Sequence, residues 1–162
     1  MLSREDFIQS LEVEVRILKH LYTKVAKADR NYRPSPAQRS LQELLDYIPS
    51  TVAVTPYLIS GDWKNSGDYF GKIRSDAAKD FIGTLEREVR SFSEQVRKFS
   101  DADLKKEVTL PTGAKVPLAM GLLNFNLKFL TAYRMQLFLY LKAGQPELGT
   151  MNCWMGADPQ PK

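Results

Sequence analysis

Apolar residues recur at three- and four-residue spacing over four long stretches of this chain, the repeat that one buried face of an α-helix produces. In the first, from about Arg4 to Ala28, the stripe is Phe7, Leu11, Leu18, Leu21, Tyr22 and Val25. Ser3 followed by Asp6 supplies a start signal, although Glu or Gln is the usual partner in a capping box. The segment Asn31-Tyr32-Arg33-Pro34-Ser35-Pro36 ends this helix, because proline cannot continue a helix interior. The second begins near Ala37 and carries Leu41, Leu44, Leu45, Ile48, Val52 and Leu58. Pro49 and Pro56 each remove a backbone donor and are expected to interrupt it. Residues 61–71, with glycine at both ends and at Gly67, read as a loop.

The third stretch, from about Ser75 to Phe99, has the most regular repeat: Ala78, Phe81, Ile82, Leu85, Val89, Phe92, Val96 and Phe99. A short turn at Ser100 to Leu104 follows. Residues 107–116 then read as a small hairpin or extended segment around Thr112-Gly113. The fourth helix is expected from Pro117, a favourable first helical position, to Lys142, with Gly144 as its C-terminal cap. Its stripe is Leu118, Leu122, Phe125, Phe129, Tyr133, Leu137 and Tyr140. Four amphipathic helices must bury their stripes against one another, so the expected fold is all-α, a four-helix bundle over residues 1–144. Residues 145–162 form a tail, expected to pack through Leu148, Trp154 and Met155 and otherwise to fray.

Composition narrows the function classes. The 162 residues carry 23 Lys and Arg against 19 Asp and Glu, a net charge of +4. The signs interleave, as in Glu86-Arg87-Glu88, which describes a solvated face rather than a basic patch; no nucleic-acid partner is expected. No apolar run approaches the ~20 residues of a bilayer span, and the amphipathic N-terminus does not resemble a signal peptide. With Cys153 as the one cysteine, no internal disulfide can form. A cytoplasmic protein without membrane partner is the economical expectation.

Two segments carry a family likeness. Arg39-Ser40-Leu41-Gln42-Glu43-Leu44-Leu45-Asp46-Tyr47-Ile48 resembles the start of the second helix in the DinB/YfiT-like family. Phe129 to Leu137, with Leu139-Tyr140-Leu141-Lys142-Ala143-Gly144, is similar to that family's fourth-helix signature, of which Arg134 and Gln136 survive. The passage from Phe99 to Leu104, then Leu110-Pro111-Thr112-Gly113, resembles the family's linker before its last helix. The resemblance implies a four-helix bundle of the DinB/YfiT-like type, a possible homodimer, and in metal-binding relatives three histidines around a divalent cation. Here those positions fall on Tyr47, Phe129 and Tyr133. Phenylalanine cannot coordinate, and a phenol with a pKa of about 10 is a rare ligand. The expectation is therefore no metal and no cofactor.

The candidate ligand pocket consists of Tyr47, Phe129, Tyr133, Gln136, Ser40 and Thr51. Two phenols there can donate hydrogen bonds or protons. Against this, aromatic stripes at helical spacing are ordinarily core, and rings that simply fill the vacated site are the simpler expectation. Gln136 is expected to project inward and bridge two helices, and Asn124 and Asn126 to border an opening. Asp46, beside an expected ligand position, is a hard donor that a bend at Pro49 would turn inward. His20 points off its helix's apolar face and is expected in solvent, which removes histidine-based triads. Cys153 shows no cationic neighbour to activate it. Two functions follow: a small-molecule binding or interaction module at a degenerate site, or a thiol-dependent transferase or isomerase related to the metal-dependent members, using Tyr47 or Tyr133.

Overall fold

The computed structural model describes residues 3–160. Helix α1 spans Arg4–Lys24. Ser3 Oγ accepts from the Asp6 N–H at 3.1 Å while Asp6 Oδ2 accepts from the Ser3 N–H at 2.8 Å. The shorter carboxylate of aspartate thus completes a capping box. The same device opens α2 (Leu41–Val52) at Ser40 and Glu43, and α6 (Asp101–Lys105) at Ser100 and Asp103.

Proline acts differently at its two positions in the second apolar stretch. Pro49 does not interrupt α2, which continues through it to Val52. Pro56 is the second residue of a new helix, α3 (Thr55–Ser60), where a missing N–H costs little. Its missing donor does leave the Val52 carbonyl without a helical partner. The side-chain amide of Asn126, fully buried, donates to that carbonyl at 2.8 Å and to Thr55 Oγ1 at 3.2 Å. Gly61, at φ 70°, then ends α3 in the left-handed conformation that glycine adopts without strain.

Two sequence expectations fail in the next stretch. Residues 61–71 are not all loop: a short 3₁₀ turn at Trp63–Asn65 leads into α4, Gly67–Lys79. The helix expected from Ser75 to Phe99 is broken at Asp80, which caps α5 (Phe81–Lys98) by accepting from the Gly83 N–H at 2.9 Å. The break turns Ala77 inward and leaves Ala78 exposed.

Strands β1 (Glu107–Thr109) and β2 (Lys115–Pro117) form the expected hairpin, antiparallel with Val108 opposite Val116. Pro117 is the N-cap of α7 (Leu118–Leu122), not its first helical residue. A π-type turn over Leu123–Leu127 joins α7 to α8, Lys128–Gly144. Gly144 lies inside α8 and is not its left-handed cap. The π turn takes more residues per turn than an α-helix. After Leu122 the buried face therefore continues through Asn126, Leu130, Leu137 and Leu141, one residue later than the expected Phe125 and Phe129.

The molecule is predominantly helical, with this hairpin as its one sheet among the described residues. Helix α1 packs on α5 and α8, and α2 packs on α4, α5 and α8. Ile8, Leu11, Leu18, Leu44, Ile48, Leu85, Phe92 and Leu137 are among the side chains at the centre. No helix among the described residues is long and apolar enough to cross a membrane.

Residues 161–162 lie outside the described residues; among those described, the tail packs against the helices over much of its length. It turns back along α1, burying Leu148, Asn152 and Cys153, while Trp154 and Met155 remain exposed, contrary to expectation. Arg134, only 1% exposed, pairs with Glu14 on α1 and donates to the Cys153 carbonyl in the tail. Its guanidinium also lies 5.1 Å from the Trp154 ring centroid. Three parts of the chain meet on one cation. Removing one member of a buried pair strands the other charge, at about 3–5 kcal/mol. Arg134→Met is accordingly expected to lower the free energy of unfolding in urea by about that amount, and to red-shift Trp154 fluorescence as the tail releases. Adding Glu14→Gln should recover part of the stability; a neutral effect of Arg134→Met would contradict this role.

Candidate functional site

Because α2 and α8 are neighbours, Tyr47 and Tyr133 meet, with ring centroids 5.1 Å apart and planes at 59°. Phe129, one turn earlier on α8, meets Tyr133 edge-on at 6.5 Å. The three side chains that sequence comparison singled out thus form one cluster. They do not fill a closed core. Phe129 is 37% exposed, and both tyrosines are half-buried.

The cluster is one end of a longer aromatic row. Phe129 touches Phe125 at 5.0 Å, Phe125 touches Trp63 at 6.0 Å, and Trp63 touches Tyr57 at 6.2 Å, which packs on Phe70 at 5.3 Å. Trp63 is held in the row by its indole N–H, which donates to the Thr109 carbonyl at 2.9 Å. Sequence reading missed Trp63 and Phe70 because their segment looked like loop. The signal available was the density of aromatics between Tyr57 and Phe70.

Two cations sit on the tyrosine end. The Arg39 guanidinium lies 4.1 Å from the Tyr47 ring centroid and that of Arg74 lies 4.9 Å from it, both within cation–π range. Arg39 precedes the α2 cap, and Arg74 projects from α4. They border a surface cleft of about 430 Å³ with Arg33, Glu43, Asp46 and Tyr47. Glu43 is already engaged: its carboxylate accepts from the Ser40 N–H at 2.8 Å and pairs with Arg33 at 2.9 Å. Those contacts, the Ser40 N–H first and Arg33 next, hold its pKa below the usual carboxylate value. Asp46 reaches the cleft without any bend at Pro49, and Oδ1 accepts from Gln42 Nε2 at 2.7 Å. Among the described residues, Arg39 and Arg74 form no ion pair. Neither was singled out from sequence.

The remaining candidates support this surface or lie away from it. Gln136 Nε2 donates to the Tyr140 hydroxyl at 2.9 Å, and that hydroxyl donates to the Arg39 carbonyl at 3.1 Å. Gln136 therefore bridges α8 to the segment before α2, through Tyr140. Ser40 is consumed by its capping box, and buried Thr51 donates to the Ile48 carbonyl at 2.7 Å; neither lines the cleft. Asn124 is half-buried, while Asn126 lies in the core at the α2–α3 junction and borders no opening.

His20 and Cys153 depart from expectation. The His20 side chain is 15% exposed, with Nε2 at 3.2 Å from Asn152 Nδ2 and 3.7 Å from Asp158. Burial lowers its pKa despite the opposing pull of Asp158. Cys153 does have a cationic neighbour, Arg134 Nη1 at 3.4 Å from its sulfur. Burial outweighs that neighbour and raises the thiol pKa, so the protonated form is favoured and the sulfur is no activated nucleophile. Among the described residues, no three His, Cys, Asp or Glu side chains converge as a metal-ligand group would.

Tyr133 does not line the cleft, but it lies beside Tyr47 and within reach of Arg39. Burial pushes its pKa above the ordinary 10.0, the Tyr47 phenol adds to the rise, and Arg39 pulls it down. Removing the cation should let it rise further. Spectrophotometric or NMR titration of Arg39→Gln is expected to show the Tyr133 phenolate forming at higher pH than in the parent protein. The neutral phenol is the form that the fold favours, so its stabilising contribution is complete below about pH 10 and is lost as pH climbs past the folded-state value. An unchanged titration would mean that Arg39 does not act on this phenol. Compared with known proteins, the chain matches no family model, no curated protein and no solved structure.

Proposed function

We propose that this chain is a DinB/YfiT-like four-helix bundle whose metal position has been taken over by aromatics, and that it acts as a small-molecule binding module at the cleft beside Tyr47. The observation that carries this reading is the convergence of Tyr47, Phe129 and Tyr133, from two helices distant in sequence, on an open surface. Side chains that only filled a vacated core would be enclosed; these are not. Donor chemistry agrees, because neither phenylalanine nor protonated phenols hold a divalent cation in the way imidazoles do. Two phenols, two guanidiniums and one carboxylate supply directional polar contacts, and the ring faces supply apolar area.

Ligand-detected and protein-detected NMR with a fragment library tests the reading. Binders are expected to perturb resonances of Tyr47 and Tyr133. Tyr47→Ala should weaken them about tenfold, on the order of the 1.4 kcal/mol that a stacked aromatic pair supplies. Elemental analysis of the purified protein should find no stoichiometric metal. A tightly bound metal would overturn the metal-free reading. Fragments that bind instead in the apolar cavity of about 270 Å³ beside Phe7, Val96, Leu104 and Leu122 would overturn the reading of the Tyr47 cleft as the site.

A further inference from the structure

The charges of the cleft do not cancel, and the excess has a direction. Of the three guanidiniums on its border, Arg33 is neutralised by Glu43. Arg39 and Arg74 remain, against the single carboxylate of Asp46, one of whose oxygens is taken by Gln42. Both free guanidiniums gather at one ring, Tyr47. Two like charges on the border of one cleft repel each other, and an anion in the cleft converts that repulsion into two charge-assisted contacts.

The two cations are also mounted on ordered backbone. The Arg39 carbonyl is held by Tyr140, which is held by Gln136, and the next residue is locked into the α2 capping box. Arg74 follows Ile73, one of the two residues by which α4 is buried. A guanidinium presents its donors as a planar fork that matches carboxylate and phosphate oxygens, and it stacks readily on flat groups. Tyr47 lines the cleft beside the guanidiniums, while Tyr133 packs on Tyr47, and Phe129 on Tyr133, outside the cleft lining. A cationic ligand would meet Arg39 and Arg74 as like charges, and a neutral one would leave both forks unused.

We infer that the ligand is a small planar organic oxyanion, its carboxylate or phosphate oxygens held by Arg39 and Arg74 and its flat body set against Tyr47. The inference rests on the reading of the Tyr47 cleft as a ligand site and adds the ligand's charge and shape.

Four single-ring probes test it on the full chain by titration calorimetry and NMR: benzoate, phenyl phosphate, benzyl alcohol and benzylamine. Benzoate, phenyl phosphate or both are expected to perturb Tyr47 and Tyr133 and to bind at least about tenfold more tightly than benzyl alcohol. The ratio of the two anions tells a carboxylate site from a phosphate site. Benzylamine should bind more weakly than the alcohol, and affinity for the anions should fall with added salt. Arg39→Gln and Arg74→Gln, both at exposed side chains, should each erase most of the difference between anion and alcohol. If benzyl alcohol matches the anions at Tyr47, or if neither Arg variant changes the discrimination, the anion inference fails while the cleft remains a ligand site. If no probe perturbs Tyr47 or Tyr133, both readings fail together.

Discussion

One buried amide fixes the last helix against the junction of α2 and α3. Pro56 cannot donate to the Val52 carbonyl, and that carbonyl lies inside the molecule, where no water satisfies it. Asn126 supplies the missing donor and holds Thr55 in the same gesture. To do so it must occupy the inward face of the last helix, and the π turn over Leu123–Leu127 is what turns it there. That turn moves Phe125 and Phe129 to the edge of the core and brings Tyr133 beside Tyr47. A proline on one helix is answered by an asparagine on another, and the aromatic surface is the geometric result.

A second buried polar contact closes the opposite side of α8. Tyr133 looks towards α2 while its neighbour Arg134 reaches Glu14 and the tail. Successive residues on a helix point about 100° apart, so one turn of α8 serves two faces with different chemistry. The Arg134 side is sealed, with a compensated charge. The Tyr133 side is open, with cations left uncompensated. Burial decides which charges need partners within the chain and which can wait for one from outside.

The pattern of apolar residues made α1, most of α2, α5, the hairpin and α8 legible, because each has a long stripe or a plain turn signal. It did not reveal α4, whose buried residues are only Ile73 and Ala77 and whose glycines imitate a loop. Nor did it reveal the break at Asp80: a polar residue within an apolar repeat looks like an outward position, and its capping role depends on a backbone angle. Spacing alone takes every turn of a helix as equal, so the π turn was invisible and Phe129 was assigned one face too far inward. Of the site, Tyr47, Phe129 and Tyr133, named from the resemblance, lie together, and Gln136 reaches Arg39 through Tyr140. Arg39 and Arg74 were not legible as site residues, since one lies in a loop and the other on the helix that was missed. Cys153 and His20 were misread for a related reason: the tail's path over α1 leaves no periodic trace in sequence.

That path has a bearing on how the chain reaches its folded state. Arg134, Arg16 and Lys24 all find partners in residues 153–158, and Gln145 ties back to the Lys24 carbonyl. The contacts made by α1 span 121 to 139 positions along the chain. Loop closure over such a span is slow compared with helix formation. Until the tail docks, Arg134 lacks the Cys153 carbonyl that accepts from it in the folded structure. Docking of the tail therefore completes the helical core, because it supplies the last partners of Arg134, Arg16 and Lys24.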